Sequence, residues 1–187
     1  MKLILYTAGF AYTGKSVLAR RAARLLDCGM VEVSDIVREA VRKRKLSTDR
    51  DTLQASNVVM ADNPTWLEDA LVVAVQKELS KRGSVVVSGP REGKLIVRLE
   101  REFPSATLCG VWVWTSLVER LRRANARDGL KLTLEQLMEV DGRDLELGVG
   151  TVERMCQAAA DSSGQPRRDE HRPGANLVSV GGAELGA

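Results

Sequence analysis

The sequence predicts an α/β fold in which helices cover both faces of a central parallel sheet of about five strands. Two observations support this prediction. Short apolar runs alternate with helical patterns along the chain, and parallel strands need helical crossovers of this kind. The chain has 187 residues, of which 44% are hydrophobic and 28% charged, so it can supply the core of one such domain.

The strand-like runs are short and continuously apolar, as expected for strands buried on both faces. They occupy residues 2–7, 30–33, 84–87 and 107–114, with a possible last strand at 176–180. Helical patterns lie between and after the first four runs. These patterns begin near Lys15, Asp35, Ser47, Pro64, Arg91, Ser116 and Thr133.

The chain is predicted to be one domain at residues 1–160, followed by an irregular C-terminal segment at 161–187. Residues 161–176 are rich in Gly, Pro, Ser and charged side chains and lack apolar periodicity. Arginine-rich helices at about 116–147 are predicted to form a small helical lid. The apolar start resembles a signal peptide, but the glycine loop that follows favours a first strand.

The available side chains exclude several kinds of site. The single histidine, His171, rules out a multi-histidine metal site or a histidine-based triad within one chain. Cys28, Cys109 and Cys156 are far apart in apolar surroundings, which indicates free thiols in a reducing compartment. No apolar run reaches 18 residues, so we expect a cytoplasmic protein without a membrane span.

A glycine-rich loop lies between the first strand and the first helix. Residues 9–16, GFAYTGKS, fit the pattern G-x-x-x-x-G-K-[S/T], although an ordinary strand-turn-helix is the alternative. The backbone N–H groups of such a loop bind phosphate oxygens. We therefore predict an ATP site in which Lys15 reaches the β- and γ-phosphates and Ser16 binds Mg²⁺. The other loop residues predicted to bind the nucleotide are Gly9, Ala11, Tyr12, Thr13 and Gly14.

A GTP-dependent switch is disfavoured. The Asn-Lys-x-Asp guanine motif is absent from the sequence. Residues 161–164, DSSG, mimic a second GTPase motif, but they are predicted to follow helices rather than a strand.

Charged side chains are predicted to gather at the same edge of the sheet. Asp35 and Arg38 are three residues apart after the second strand, so they share one helix face. Asp35 is a candidate general base and magnesium ligand, and Arg38 a candidate for holding an acceptor phosphate. Arg91 follows the third strand, and the lid residues Arg123 and Arg127 are predicted to stabilise the transferred phosphoryl group. A solvated charged surface is the alternative for each group.

Over about residues 1–160 these motifs resemble the nucleotide-kinase branch of P-loop proteins. SDIVR at 34–38 is similar to the Asp-x-x-Arg acceptor motif of polynucleotide and dephospho-coenzyme A kinases, and SGPRE at 88–92 to the arginine turn of nucleoside monophosphate kinases. RLRRANARDG at 120–129 resembles their lid. The resemblance implies a P-loop NTPase fold with Mg-ATP as donor, and Asp35 as general base for a hydroxyl acceptor. The chain departs from the monophosphate kinases at Ser88, where they have an acid.

The acceptor is predicted from charge and from the resemblance. A basic stripe between residues 38 and 50 lies beside the proposed acceptor site and is suited to DNA phosphates. It contains Arg38, Arg42, Lys43, Arg44, Lys45 and Arg50. The size and motif layout are similar to bacteriophage DNA-modifying kinases that phosphorylate 5-hydroxymethyluracil in DNA, acting in the host cytoplasm, which is the preferred interpretation.

Two alternatives to the DNA kinase stay open. One is a small-molecule kinase acting on a nucleoside monophosphate or dephospho-coenzyme A. The other is an ATP-regulated binding module, which is supported by the presence of Ser88 where the monophosphate kinases have an acid. The sequence predicts no oligomeric state.

Overall fold

The protein's structure, a computed structural model, describes residues 2–46, 63–128 and 131–163. Within these ranges one parallel sheet has the strand order β2-β3-β1-β4-β5. The strands are β1 (Lys2–Ala8), β2 (Gly29–Glu32), β3 (Ser84–Ser88), β4 (Ala106–Trp114) and β5 (Ala158–Asp161). The predicted parallel sheet of about five strands is confirmed.

Helices connect the strands as crossovers. They are α1 (Lys15–Leu25), α2 (Val33–Lys43), α3 (Trp66–Arg82), α4 (Gly93–Glu102), α5 (Leu117–Asp128), α6 (Leu134–Glu146) and α7 (Val149–Arg154). The start of α6 is fixed by a capping box. The Gln136 backbone N–H donates to the Thr133 hydroxyl, and the Thr133 backbone N–H donates to the Gln136 side chain. None of the described helices is long and apolar enough to span a bilayer.

Two apolar clusters lie on opposite faces of the sheet. On one face Ile4 and Tyr6 of β1 pack with Leu71 of α3 and Leu95 of α4. On the other face the intervening residue, Leu5, packs against the cluster that includes α1. This alternation is the two-residue period of a strand whose faces are both covered. It produces the three-layer α/β/α arrangement predicted from the sequence.

The last strand is where the sequence analysis was incomplete. β5 consists of Ala158–Asp161, AAAD, and pairs with the end of β4. Alanine has low strand propensity, so this segment gives little signal. Residues 162 and 163 therefore follow a strand that ends at Asp161, and the prediction that the DSSG segment follows helices rather than a strand was wrong. The strand predicted at 176–180 and the helix predicted after Ser47 lie outside the described residues.

Candidate functional site

The glycine-rich loop leaves the central strand β1 and leads into α1. The carboxyl ends of all the parallel strands meet at this edge of the sheet, where such folds bind ligands. Gly9 has φ 149°, and a Cβ there would lie 2.3 Å from the carbonyl oxygen of Val113. Gly14 has φ 90° and precedes α1. The loop path therefore requires glycine at both ends of the motif.

Lys15 lies folded against the loop. Its Nζ donates to the Phe10 carbonyl oxygen at 3.0 Å, and the Thr13 hydroxyl donates to the same oxygen at 2.9 Å. The pKa of Lys15 is lowered to about 8, chiefly by burial and also by the positive charge of Arg91, while the charges of Asp144 and Glu32 act in the opposite direction. A phosphate anion at this position would stabilise the ammonium form.

A carboxylate that the sequence analysis missed lies beside Ser16. The register of β2 and β3 pairs Glu32 with Ser88. The Ser88 hydroxyl donates to Glu32 Oε1 at 3.1 Å, and its oxygen lies 3.3 Å from Ser16 Oγ. The acid that is absent at the end of β3 is thus replaced in space by an acid at the end of β2.

This group of oxygen ligands suits magnesium. Mg²⁺ is bound through one or two carboxylates, hydroxyls and substrate phosphates rather than by a cage of protein ligands. The described part of the chain contains no cluster of three or more His, Cys, Asp or Glu side chains that could hold a metal by themselves. Ser16 and Glu32 are the side chains that fit the ion.

The predicted acceptor pair forms at the start of α2. Arg38 donates from NH1 to Asp35 Oδ1 at 2.6 Å and to Ser34 Oγ at 3.1 Å. The two side chains are 39% and 70% exposed, so both can be reached from solvent. The structure brings Asp35 and Arg38 together as predicted. The roles of Asp35 as base and magnesium ligand and of Arg38 as acceptor ligand stay predictions.

Arg91 lies at the end of the loop after β3 and contacts the lid. Its NH1 is 3.1 Å from Oδ1 of Asp144 on α6. A Cβ at Gly89, in the same loop, would lie 3.6 Å from Cε of Lys15. This loop therefore lies beside the phosphate loop, and the role of Arg91 in the reaction stays a prediction.

The arginines of α5 hold the phosphate loop by its backbone. Arg120, which is 4% exposed, donates from Nε to the Ala11 carbonyl oxygen at 2.8 Å and pairs with Asp141 of α6 through both terminal nitrogens. Arg123 donates to the Thr13 carbonyl oxygen at 3.1 Å. The guanidinium of Arg127 lies 5.5 Å from the centre of the Tyr12 ring. In this structure these arginines shape the loop that would bind phosphate.

The segment after β5 also contacts the loop. The Ser162 hydroxyl donates to the Thr13 carbonyl oxygen at 2.5 Å, and Arg123 NH1 donates to Ser162 Oγ at 2.9 Å. The Ser163 and Thr115 hydroxyls lie 2.8 Å apart. The sequence analysis treated residues 161–164 only as a GTPase-like pattern and missed this contact. The available signal for it was a pair of serines directly after an alanine-rich segment.

Comparisons with known proteins support the fold. No protein-family model and no curated protein matches the sequence. The fold is shared with a shikimate kinase from Acinetobacter baumannii in complex with shikimate, with TM-score 0.55, 14% identity, and coverage of 87% of this chain and 85% of that one. A gluconokinase from Sinorhizobium meliloti 1021 has TM-score 0.53 and 19% identity over 88% and 84% of the two chains. A shikimate kinase from Aquifex aeolicus vf5 has TM-score 0.54 and 13% identity over 88% and 89%.

The TM-scores show a shared fold, and at identities this low the activity has to be argued from the residues of the site. The predicted fold class is confirmed.

Proposed function

We propose that this protein is a Mg-ATP-dependent kinase that transfers the γ-phosphoryl group to a hydroxyl. The observation that supports the proposal most directly is the position of Lys15 and Ser16 beside Glu32, at the carboxyl edge of the sheet. A loop of this shape binds phosphates, and the adjacent hydroxyl and carboxylate suit a magnesium ion on those phosphates. The kinase fold of the structural neighbours agrees with this chemistry.

Each group has a task in the proposed reaction. The loop N–H groups and Lys15 would hold the β- and γ-phosphates. Ser16 and Glu32 would hold a magnesium ion, whose charge would offset that of the phosphate oxygens. Asp35 takes the proton of the attacking hydroxyl. Arg38 and Arg91 lie on the acceptor side, where they attract anionic groups.

A small hydroxyl compound is the acceptor class that we propose. The structural neighbours are named for shikimate and gluconate, which are small molecules with several hydroxyl groups. The DNA acceptor, expected from the basic stripe and the resemblance, and the bacteriophage origin, expected from the resemblance, gain no support from them. Within the stripe, Arg42 and Lys43 both pair with Glu39, at 3.0 and 3.8 Å, which reduces the charge available for DNA phosphates.

The test is an acceptor panel with γ-labelled ATP and Mg²⁺. It contains shikimate, gluconate, nucleoside monophosphates, dephospho-coenzyme A and duplex DNA with or without 5-hydroxymethyluracil. We expect transfer to a small acceptor, and loss of at least about 10³-fold in turnover for Lys15→Ala, because its charge acts on the transferred group. Lys81→Ala, which removes a lysine paired with Glu78 on α3, is the matched control and should retain full activity.

Two results would change the proposal. Transfer to modified DNA that weakens steeply with salt would restore the DNA kinase interpretation. ATP binding without transfer or hydrolysis, in the presence of every acceptor, would favour an ATP-regulated binding module.

A further inference from the structure

Asp144 is a buried acid that the proposed reaction does not use. Its side chain is 0% exposed. Among residues 2–46, 63–128 and 131–163, none donates a hydrogen bond to either of its carboxylate oxygens. A buried carboxylate without donors is unfavourable, because folding removes its hydration and provides no replacement. Such a group in a native chain calls for an explanation.

The side chain that faces Asp144 is Arg91. The Arg91 NH1 atom lies 3.1 Å from Asp144 Oδ1, but no N–H of Arg91 is directed at that oxygen as a hydrogen bond. The Arg91 side chain is 32% exposed, so a ligand can reach part of it. A carboxylate that fixes an arginine accepts directed, often bidentate hydrogen bonds. Asp144 therefore holds Arg91 by charge alone.

The pair lies beside the position expected for the γ-phosphate. A Cβ at Gly89, two residues before Arg91, would lie 3.6 Å from Cε of Lys15, the lysine of the phosphate loop. In keeping with this position, the charges of both Arg91 and Asp144 act on the pKa of Lys15. One turn earlier on α6, Asp141 pairs with Arg120, which holds the Ala11 carbonyl oxygen of that loop. Helix α6 thus contacts Arg120 through Asp141 and Arg91 through Asp144.

The contrast between the two acids is informative. Asp141 accepts two hydrogen bonds from Arg120, so it has the geometry of a permanent structural pair. Asp144 has only an undirected contact with a partly exposed arginine. A γ-phosphoryl group offers Arg91 the directed, charge-assisted hydrogen bonds that Asp144 does not accept.

We propose that Arg91 exchanges partners during the reaction, and this inference rests on the proposed function. Without ATP, Asp144 holds Arg91 by charge. When ATP is bound, Arg91 leaves Asp144 and donates to the γ-phosphoryl group. Asp144 is then a positioning residue that competes with the γ-phosphate for Arg91, and it lowers the affinity for ATP without affecting the affinity for ADP.

The experiment measures ATP and ADP affinities by calorimetry, with Mg²⁺ and without acceptor. Asp144→Asn keeps the side-chain shape and removes the competing charge. We expect ATP to bind about fivefold tighter or more, with ADP affinity unchanged. Glu146→Gln, which neutralises an exposed acid on the same helix, is the matched control and should change neither affinity. If Asp144→Asn does not fold, Asp144→Ser makes the same test.

A second arm isolates Arg91. In an Arg91→Gln background, Asp144→Asn should not change the affinity for ATP, because no guanidinium remains to be released. The proposal is overturned if ATP affinity is unchanged or lower in Asp144→Asn, if ADP affinity rises as much as ATP affinity, or if the gain persists without Arg91. If folded wild-type protein binds neither ATP nor ADP, the proposed function is overturned as well. If the wild type binds both and Asp144→Asn has the same ratio of ATP to ADP affinity, only the partner exchange of Arg91 is overturned.

Discussion

Two carboxylates, Glu32 at the end of β2 and Asp35 in the first turn of α2, are expected to have separate tasks. Glu32 lies with Ser88 and Ser16, on the magnesium side, and Asp35 pairs with Arg38. Glu32→Gln should raise the Mg²⁺ concentration for half-maximal activity by about tenfold or more, because a ligand of the ion or of its water shell is lost. Asp35→Asn should lower turnover by roughly 10²-fold at an unchanged magnesium requirement.

A magnesium titration of activity for each variant makes this measurement. Glu39→Gln, an exposed acid on α2, is the control and should behave as the wild type. If Asp35→Asn raises the magnesium requirement and Glu32→Gln does not, the assignment of the two carboxylates is reversed.

Individual residues of the site differ in how far the sequence could predict them. Lys15 and Ser16 belong to a local pattern between a strand and a helix, so their position follows from the chain itself. Glu32 lies inside a four-residue strand, and only its register against Ser88 of β3 brings it to the loop. Pairing between distant strands leaves no local trace in a single sequence, so this carboxylate could not be found.

At the scale of elements, α6 stabilises the phosphate loop through one ion pair. Arg120 is almost fully buried between the Ala11 carbonyl oxygen and Asp141. Removing one partner of a buried pair leaves the other charge uncompensated. Asp141→Ala should therefore lower the free energy of unfolding by about 3 kcal/mol. Urea unfolding at neutral pH measures this change.

Glu139→Ala provides the control for the same helix. Glu139 is exposed on α6, so its removal should change the free energy of unfolding by less than about 0.5 kcal/mol. Equal effects of the two substitutions would mean that helix propensity, and not the pair with Arg120, explains the loss.

The elements themselves were largely predictable. β1, β3 and β4 are apolar runs with abundant β-branched or aromatic residues, and α3 ends at Gly83 in the left-handed conformation, as a C-terminal glycine predicts. β5 lacked these signals. The contact of Arg123 with the Thr13 carbonyl oxygen could not be predicted, because the direction of an arginine side chain depends on tertiary packing. The role of Arg123 on the transferred phosphoryl group stays a prediction.

For the molecule as a whole, the strand order explains how the site is assembled. With β1 in the centre, the phosphate loop has β3 and β2 on one side and β4 and β5 on the other. The first side supplies Glu32, Ser88 and Arg91, and the second supplies Ser162 against the loop backbone. Groups suited to magnesium and acceptor are thereby separated from groups that shape the loop.

Lys15 couples the stability of the whole molecule to nucleotide binding through pH. Its pKa is about 8 in the folded chain, against an ordinary value of 10.5, chiefly because it is buried. Between these values the unfolded chain binds more protons at this lysine than the folded chain. The contribution of Lys15 to stability is therefore least favourable below pH 8 and improves as the pH rises through the window.

ATP affinity should change in the opposite direction. The phosphates need the ammonium form, which the free protein loses as the pH rises through about 8, so ATP should bind more weakly between about pH 8 and pH 10. Lys15→Met isolates both effects, because it removes the titrating group. We expect the unfolding free energy of the wild type to rise relative to that of Lys15→Met as the pH increases over this range. The ATP affinity of the wild type should decline over the same range. A difference in unfolding free energy that is independent of pH would show that Lys15 titrates with an ordinary pKa, and the lysine would then be more hydrated than its contacts indicate.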